Sequence, residues 1–141
     1  MAALYQLFEI WLGLYKEEYE YIFFELYKEG TYNIFGLSVL IPSLVILSLF
    51  YFVYKNPYAK AFPDYLISLL MAAVFSAFLT FYFSRVSLAA YLVDPEEEIS
   101  AFASKLNWAY TIINFVLTII ISFLISFILR LKSKVQPQLP F

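Results

Sequence analysis

The most regular polar pattern in this chain lies inside an apolar run. Asn107, Thr111, Asn114, Thr118, Ser122 and Ser126 follow one another at intervals of 4, 3, 4, 4 and 4, among residues that are mostly Ile, Leu, Val and Phe. At 100° per residue these positions fall within a helical sector of about 120°. A second set, Ser68, Ala72, Ser76, Thr80 and Ser84, steps by four with Ala73 and Ala77 alongside. Hydroxyls and carboxamides are neutral donors and acceptors. They offer interhelical hydrogen bonding, and small residues at this spacing let helix backbones approach closely.

Lipid gains nothing from a polar stripe, so the stripe faces protein or water. The simplest reading makes both sets the seam between the second and third apolar helices. A self-associating face between copies of the chain and a wet pore lining are the two alternatives. No acidic residue lies inside any apolar run, which argues against a proton relay or a carboxylate cation site.

The chain contains no cysteine and no histidine. Disulfides, thiol chemistry, the usual zinc and haem ligands and the commonest general base are all missing from it. No Gly-rich phosphate loop, no nucleophile beside a base and no nucleic-acid footprint is present. The sequence therefore assigns no catalytic, cofactor-binding or metal-binding residue, and it predicts a chain that is not an enzyme and has no nucleic-acid partner. Asp94-Pro95-Glu96-Glu97-Glu98 has no calcium-loop spacing. It reads as a helix start, with Asp94 as cap, Pro95 at the first position and glutamates at the positive dipole end.

The elements that carry these patterns follow from composition. The chain has 141 residues, of which 63% are hydrophobic and 14% charged, too little polar surface to cover a water-facing globule of this size. Tyr32–Tyr54 and Asn107–Leu129 are uncharged runs of 23 residues, and Tyr65–Val93 is a run of 29 interrupted only by Arg85. About 20 apolar residues span the hydrocarbon core as a helix, and open strands would leave unpaired edges in lipid. The expected fold is an all-α integral membrane protein with three transmembrane helices and an N-terminal amphipathic interfacial helix.

In segments, residues 1–30 form the interfacial aromatic and acidic helix. Residues 31–134 form the spanning domain, with spans at about 32–54, 65–93 and 107–130. Residues 135–141 form an extended tail, as its prolines favour. Arg85 falls roughly 30 Å along the second helix, at the outer interface, where it can snorkel. If so, Val86–Val93 continues that helix above the membrane, and the second and third helices make a hairpin projecting from the outer face. Pro42 should kink the first span.

Orientation follows the basic residues. The 55–64 loop and the tail after residue 129 hold five basic residues and one acid, whereas residues 1–30 and 94–105 hold ten acids against three lysines. The N-terminus is thus expected outside and the C-terminus in the cytoplasm, in a setting such as the bacterial inner membrane. In the first segment Phe8, Trp11, Tyr15 and Tyr19 recur at intervals of 3, 4 and 4, a stripe suited to docking. Glu9, Lys16 and Glu20 lie together on a different face. Acids dominate that polar face, unlike most lipid-binding helices, which favours docking on protein over lipid alone. Aromatic residues collect where interface belts belong: Tyr51, Phe52, Tyr54, Tyr58, Phe62 and Tyr65 within, Tyr91, Trp108 and Tyr110 without.

The expected function is a structural or assembly subunit of a larger membrane complex, with the bilayer and other membrane subunits or copies of itself as partners. The alternative is a homo-oligomeric pore, holin-like or a membrane-permeabilising effector, by analogy of size and topology. A carrier is a poor fit for so short a chain without internal repeats.

Overall fold

The computed structural model describes residues 2–53, 61–93 and 96–132. The basic loop at 55–60, the Asp94-Pro95 cap and the 135–141 tail lie outside the described residues. Those residues form six α-helices: α1 (Ala2–Trp11), α2 (Glu20–Lys28), α3 (Thr31–Ser48), α4 (Ala61–Ser87), α5 (Ala89–Leu92) and α6 (Glu97–Lys132). A 3-10 turn at Glu17–Tyr19 leads into α2, and α3 closes in a π-helical turn at Leu49–Val53. Among the described residues, three helical stretches are long and apolar enough to cross a membrane: Thr31–Val53, Phe62–Ser87 and Glu97–Leu129.

Hydrogen bonds fix how the long helices run. Thr31 pairs with Ser87 and Ser38 with Thr80, so α3 and α4 are antiparallel. Thr80 meets Asn114 and Tyr65 meets Ser126, so α4 and α6 are antiparallel as well. Ser38 meets Asn114 and Ser43 meets Ser122, so α3 and α6 run parallel. The three helices make one bundle, an up-down-up arrangement with polar and small residues inside. Ser38, Ser43, Ala72, Ala73, Thr118 and Ser122 are buried, while Leu37, Ile41, Val74, Phe78, Ile112 and Ile120 are exposed. That inverts the soluble pattern, as expected where the surroundings are as apolar as leucine and close backbone approach holds helices together.

Two aromatic-rich clusters close the ends of the bundle. One gathers Tyr5, Leu26, Tyr32, Phe35, Leu106 and Tyr110 with their neighbours; the other gathers Leu47, Phe50, Tyr51, Tyr65 and Leu69. Tyr51, Tyr65 and Tyr110 are fully buried, whereas Phe52, Phe62 and Trp108 are exposed. The three tyrosines thus depart from the belt positions expected of them. In Tyr65 and Tyr110 the hydroxyl finds a side-chain partner within the bundle, which removes the reason for a phenol to seek the interface.

The N-terminal segment is two helices with a turn between them, rather than one. Gly13 has φ +63°, a left-handed conformation that ends α1. The Gly13 amide donates to the Ile10 carbonyl and the Leu14 amide to the Glu9 carbonyl. This is the paired pattern by which a glycine stop satisfies the last carbonyls of a helix. Gly30, at φ +70°, separates α2 from α3 in the same conformation. The second long helix also breaks earlier than expected, at Leu88, whose side chain is fully buried in the cluster around Tyr5 and Tyr110. Pro42 is buried within α3, which continues through it to Ser48. At 36 residues, α6 is about 54 Å long, well beyond the thickness of a hydrocarbon core.

Candidate functional site

The site begins at Asn114, nearly five helical turns into α6. Its Oδ1 accepts a hydrogen bond from the Tyr5 hydroxyl at 2.6 Å. Its amide nitrogen lies 2.7 Å from Thr80 Oγ1, 3.2 Å from the Phe35 carbonyl and 3.3 Å from Ser38 Oγ. Ser38 Oγ in turn donates to the Phe35 carbonyl and lies 2.8 Å from Thr80 Oγ1. One carboxamide therefore ties α1, α3 and α4 to α6. Both its donor and acceptor functions are used, as a fully buried amide requires.

Below Asn114 the stripe is closed by its own backbone. Thr118 donates to the Asn114 carbonyl at 2.6 Å and Ser126 to the Ser122 carbonyl at 2.8 Å. Thr111 does the same with the Asn107 carbonyl at 2.8 Å. Ser122 reaches across to Ser43 at 2.9 Å, and the Tyr65 hydroxyl donates to Ser126 at 3.0 Å. Asn114, Thr118, Ser122 and Ser126 are all fully buried. Hydroxyls bonded to the carbonyl four residues back need no water and no partner chain.

The α4 set lies on the other side of the same interior. Ala72, Ala73, Ser76, Thr80 and Ser84 are buried, and Ser68 and Ala77 are half-buried. Ser68 donates to the Asp64 carbonyl at 2.9 Å. Among the described residues, Ser76 Oγ, Ser84 Oγ and Asn107 Oδ1 are buried without a hydrogen-bond partner. Arg85 is exposed.

Above Asn114 sits a group absent from the sequence-predicted set. Glu9, on α1, is 2% exposed, and its Oε1 accepts from the Tyr32 hydroxyl at 2.7 Å and from the Tyr110 hydroxyl. Burial pushes its carboxyl above the ordinary range, against the opposing pull of the bonds from Tyr110 and Tyr32. Tyr5, one turn earlier on the same face, stacks on Tyr32 with ring centroids 5.7 Å apart and meets Phe35 edge-on at 5.7 Å. The buried face of α1 is thus Tyr5 and Glu9.

The four aromatic residues expected to dock are divided by the structure. Phe8 packs partly buried against the cluster around Tyr5 and Tyr110, and Tyr19 stacks on Phe102 with centroids 4.2 Å apart. Tyr15 is exposed beside Phe23, and Trp11 is 80% exposed. The helical stripe that joins all four assumes one continuous helix, and the turn at Gly13 interrupts it. Ser38, Ser43 and Tyr32 were also missing from the predicted set, because polar residues in the first span recur at no helical interval. Glu9 had one available signal: it is the only charge in the first fifteen residues, four positions after Tyr5.

No protein-family model matches this chain, and comparisons with curated proteins and with solved structures yield no match. The fold defines a class: an all-helical chain with three helices long and apolar enough to cross a membrane among its described residues.

Proposed function

We propose that this chain is a non-enzymatic structural or assembly subunit of a larger membrane protein complex. It crosses the bilayer three times, with the N-terminus outside and the C-terminus in the cytoplasm, as in a bacterial inner membrane. The observation that carries the reading is where the polar stripe leads. Asn114, Thr118, Ser122 and Ser126 are buried within a single copy and bonded there to α1, α3, α4 or their own backbone. Those four positions, satisfied inside one copy, offer no polar face with which several copies would enclose water. The surface available to partners is the outer one, where exposed Trp11, Phe24 and Tyr27 stand beside the acids of residues 17–29. Exposed aromatic side chains of this kind are enriched where proteins meet.

Liposomes containing the purified protein are expected to leak neither ions nor a small dye. Thr118→Leu should lower thermal stability or co-purification of partner chains, with no flux to lose. A robust leak that Thr118→Leu abolishes while the oligomer persists would transfer the assignment to a homo-oligomeric pore, since apolar constrictions close by dewetting. Orientation is checked separately. A cysteine at position 97 in Glu97→Cys should react with an impermeant reagent outside intact cells, and one in Lys134→Cys should not. The opposite labelling would reverse the topology.

A further inference from the structure

A pocket of about 370 Å³ opens between α1 and α2 at the outer end of the bundle. The rings of Tyr15, Phe24 and Tyr27 line it together with the polar groups of Gln6, Glu9 and Glu20, and among the described residues no lysine or arginine lines it. Glu9 reaches this pocket from within the bundle. Its Oε1 is occupied by the two tyrosine hydroxyls, and among the described residues neither a donor for Oε2 nor a basic side chain pairs with it. Two phenols donating to one carboxylate oxygen hold it as an acceptor. The result is a buried acid with no counter-ion among the described residues, an arrangement costly unless the acid takes up a proton or a cation completes it. The surrounding rings present π faces, which attract ammonium groups in the same sense.

We propose that this pocket binds the ammonium group of an amine, with Glu9 as its counter-ion and Glu20 as a second carboxylate beside it. The aromatic walls supply cation–π contact, and the hydroxyl pair on Glu9 holds the carboxylate in place for the ligand. Two sources carry this group, an aminophospholipid head group and a soluble amine. The pocket also has apolar flanks, Ile10 at 68% and Phe24 at 65% exposure, along which acyl chains could lie.

Native mass spectrometry of the full-length protein in detergent provides the test, with phosphatidylethanolamine and phosphatidylglycerol as probes. Phosphatidylethanolamine should be retained about tenfold better, a difference of one decade in affinity, and added ethanolamine should displace it. Glu9→Gln should abolish the preference. Because Glu9 also belongs to the buried network, two exposed positions guard against a folding artefact. Glu20→Gln and Phe24→Ala should each weaken retention several-fold at an unchanged melting temperature. Calorimetric binding of ethanolamine without a lipid preference assigns the pocket to soluble amines and sustains the proposal. Equal retention of both lipids with no ethanolamine binding overturns it. So does an undiminished preference in Glu9→Gln and Glu20→Gln, which would mean that the acid is simply a protonated hydrogen-bonding group.

Discussion

Asn114→Leu is expected to cost about 2–3 kcal/mol of stability and to release α1 from the bundle. The carboxamide makes four polar contacts, to Tyr5, Thr80, Ser38 and the Phe35 carbonyl. Interhelical hydrogen bonds in membrane proteins average about 0.6 kcal/mol, so the one accepted bond and the bonds of two amide protons come to roughly 1.8 kcal/mol, to which the orphaned Tyr5 hydroxyl adds about 1 kcal/mol. The loss is uneven in its consequences. Ser38 keeps the Phe35 carbonyl and Thr80 keeps Ser38, whereas the Tyr5 hydroxyl loses its one partner in a fully buried position. An orphaned buried donor is the costly kind of deletion. The strain therefore falls on α1, whose other polar tie is Glu9. Unfolding in detergent measures the first effect, and hydrogen exchange across Ala2–Trp11 measures the second. Thr118→Val is the internal control, since that hydroxyl bonds only its own helix and its loss should cost less than about 1 kcal/mol. Equal destabilisation by the two variants would mean that Asn114 contributes volume and nothing more.

The second large effect concerns close approach. Ala73 is fully buried in the middle of α4, between two aromatic clusters that already fill the ends of the bundle. Ala73→Phe would insert a ring where the helices meet through small residues. Overpacking by even a few methylenes costs about 1–3 kcal/mol, and a whole ring should separate α4 from its neighbours and abolish assembly. Ser76→Ala should do the reverse of what a polar-seam account demands. Its Oγ is buried with no partner, so removing it deletes an unsatisfied group and should leave stability unchanged or slightly raised. Melting temperature and the size of the purified particle check both. Comparable damage from the two substitutions would show that the hydroxyl, and not the narrow gap, makes the contact at this position.

The sequence shows these helices wherever one segment settles the matter by itself. A helix that crosses hydrocarbon needs about 20 apolar residues in a row, so the three long helices are visible as runs of composition. The start of α6 was legible for the same local reason, because Glu96, Glu97 and Glu98 favour a helix N-terminus wherever the rest of the chain goes. The stripe on α6 was legible as a stripe because period 3.6 is a property of one helix. Its partners were not. Ser38 and Ser43 sit five residues apart in the first run, an interval that does not follow one helix face, and only the parallel register of α3 and α6 brings them opposite Asn114 and Ser122.

The N-terminal segment shows where local reasoning fails. Its aromatic spacing suggests a single face, and helix propensity permits a single helix from Ala2 to Glu29. Gly13 was visible as a breaker, yet whether a glycine inside a helix is merely tolerated or adopts a left-handed stop depends on what the turn allows to pack. Here the turn lets Leu14 bury itself in the cluster around Tyr5 and lets Ile22, Phe23 and Leu26 of α2 join the same cluster. Glu9 was placed with Lys16 and Glu20 as a solvated face by the same single-helix assumption. Its burial depends on two phenols, 23 and 101 residues away in the chain, whose positions no local pattern encodes.

The sequence alone determined the helical class, the three long apolar helices, the asymmetry of charge between the two ends and the polar stripe on α6. Each of these is a sum or a period over neighbouring residues, and hydrophobic length and dipole chemistry act at that range. Only the tertiary structure decided that the stripe from Asn114 to Ser126 is satisfied within one chain, that Asn114 joins four helices, and that an acid of the first helix lies buried among tyrosines. Those outcomes depend on which distant donors arrive at each acceptor. A buried carboxylate or amide is tolerable only once its partners are in place, so its location is fixed by the packing of the bundle and not by the residues beside it.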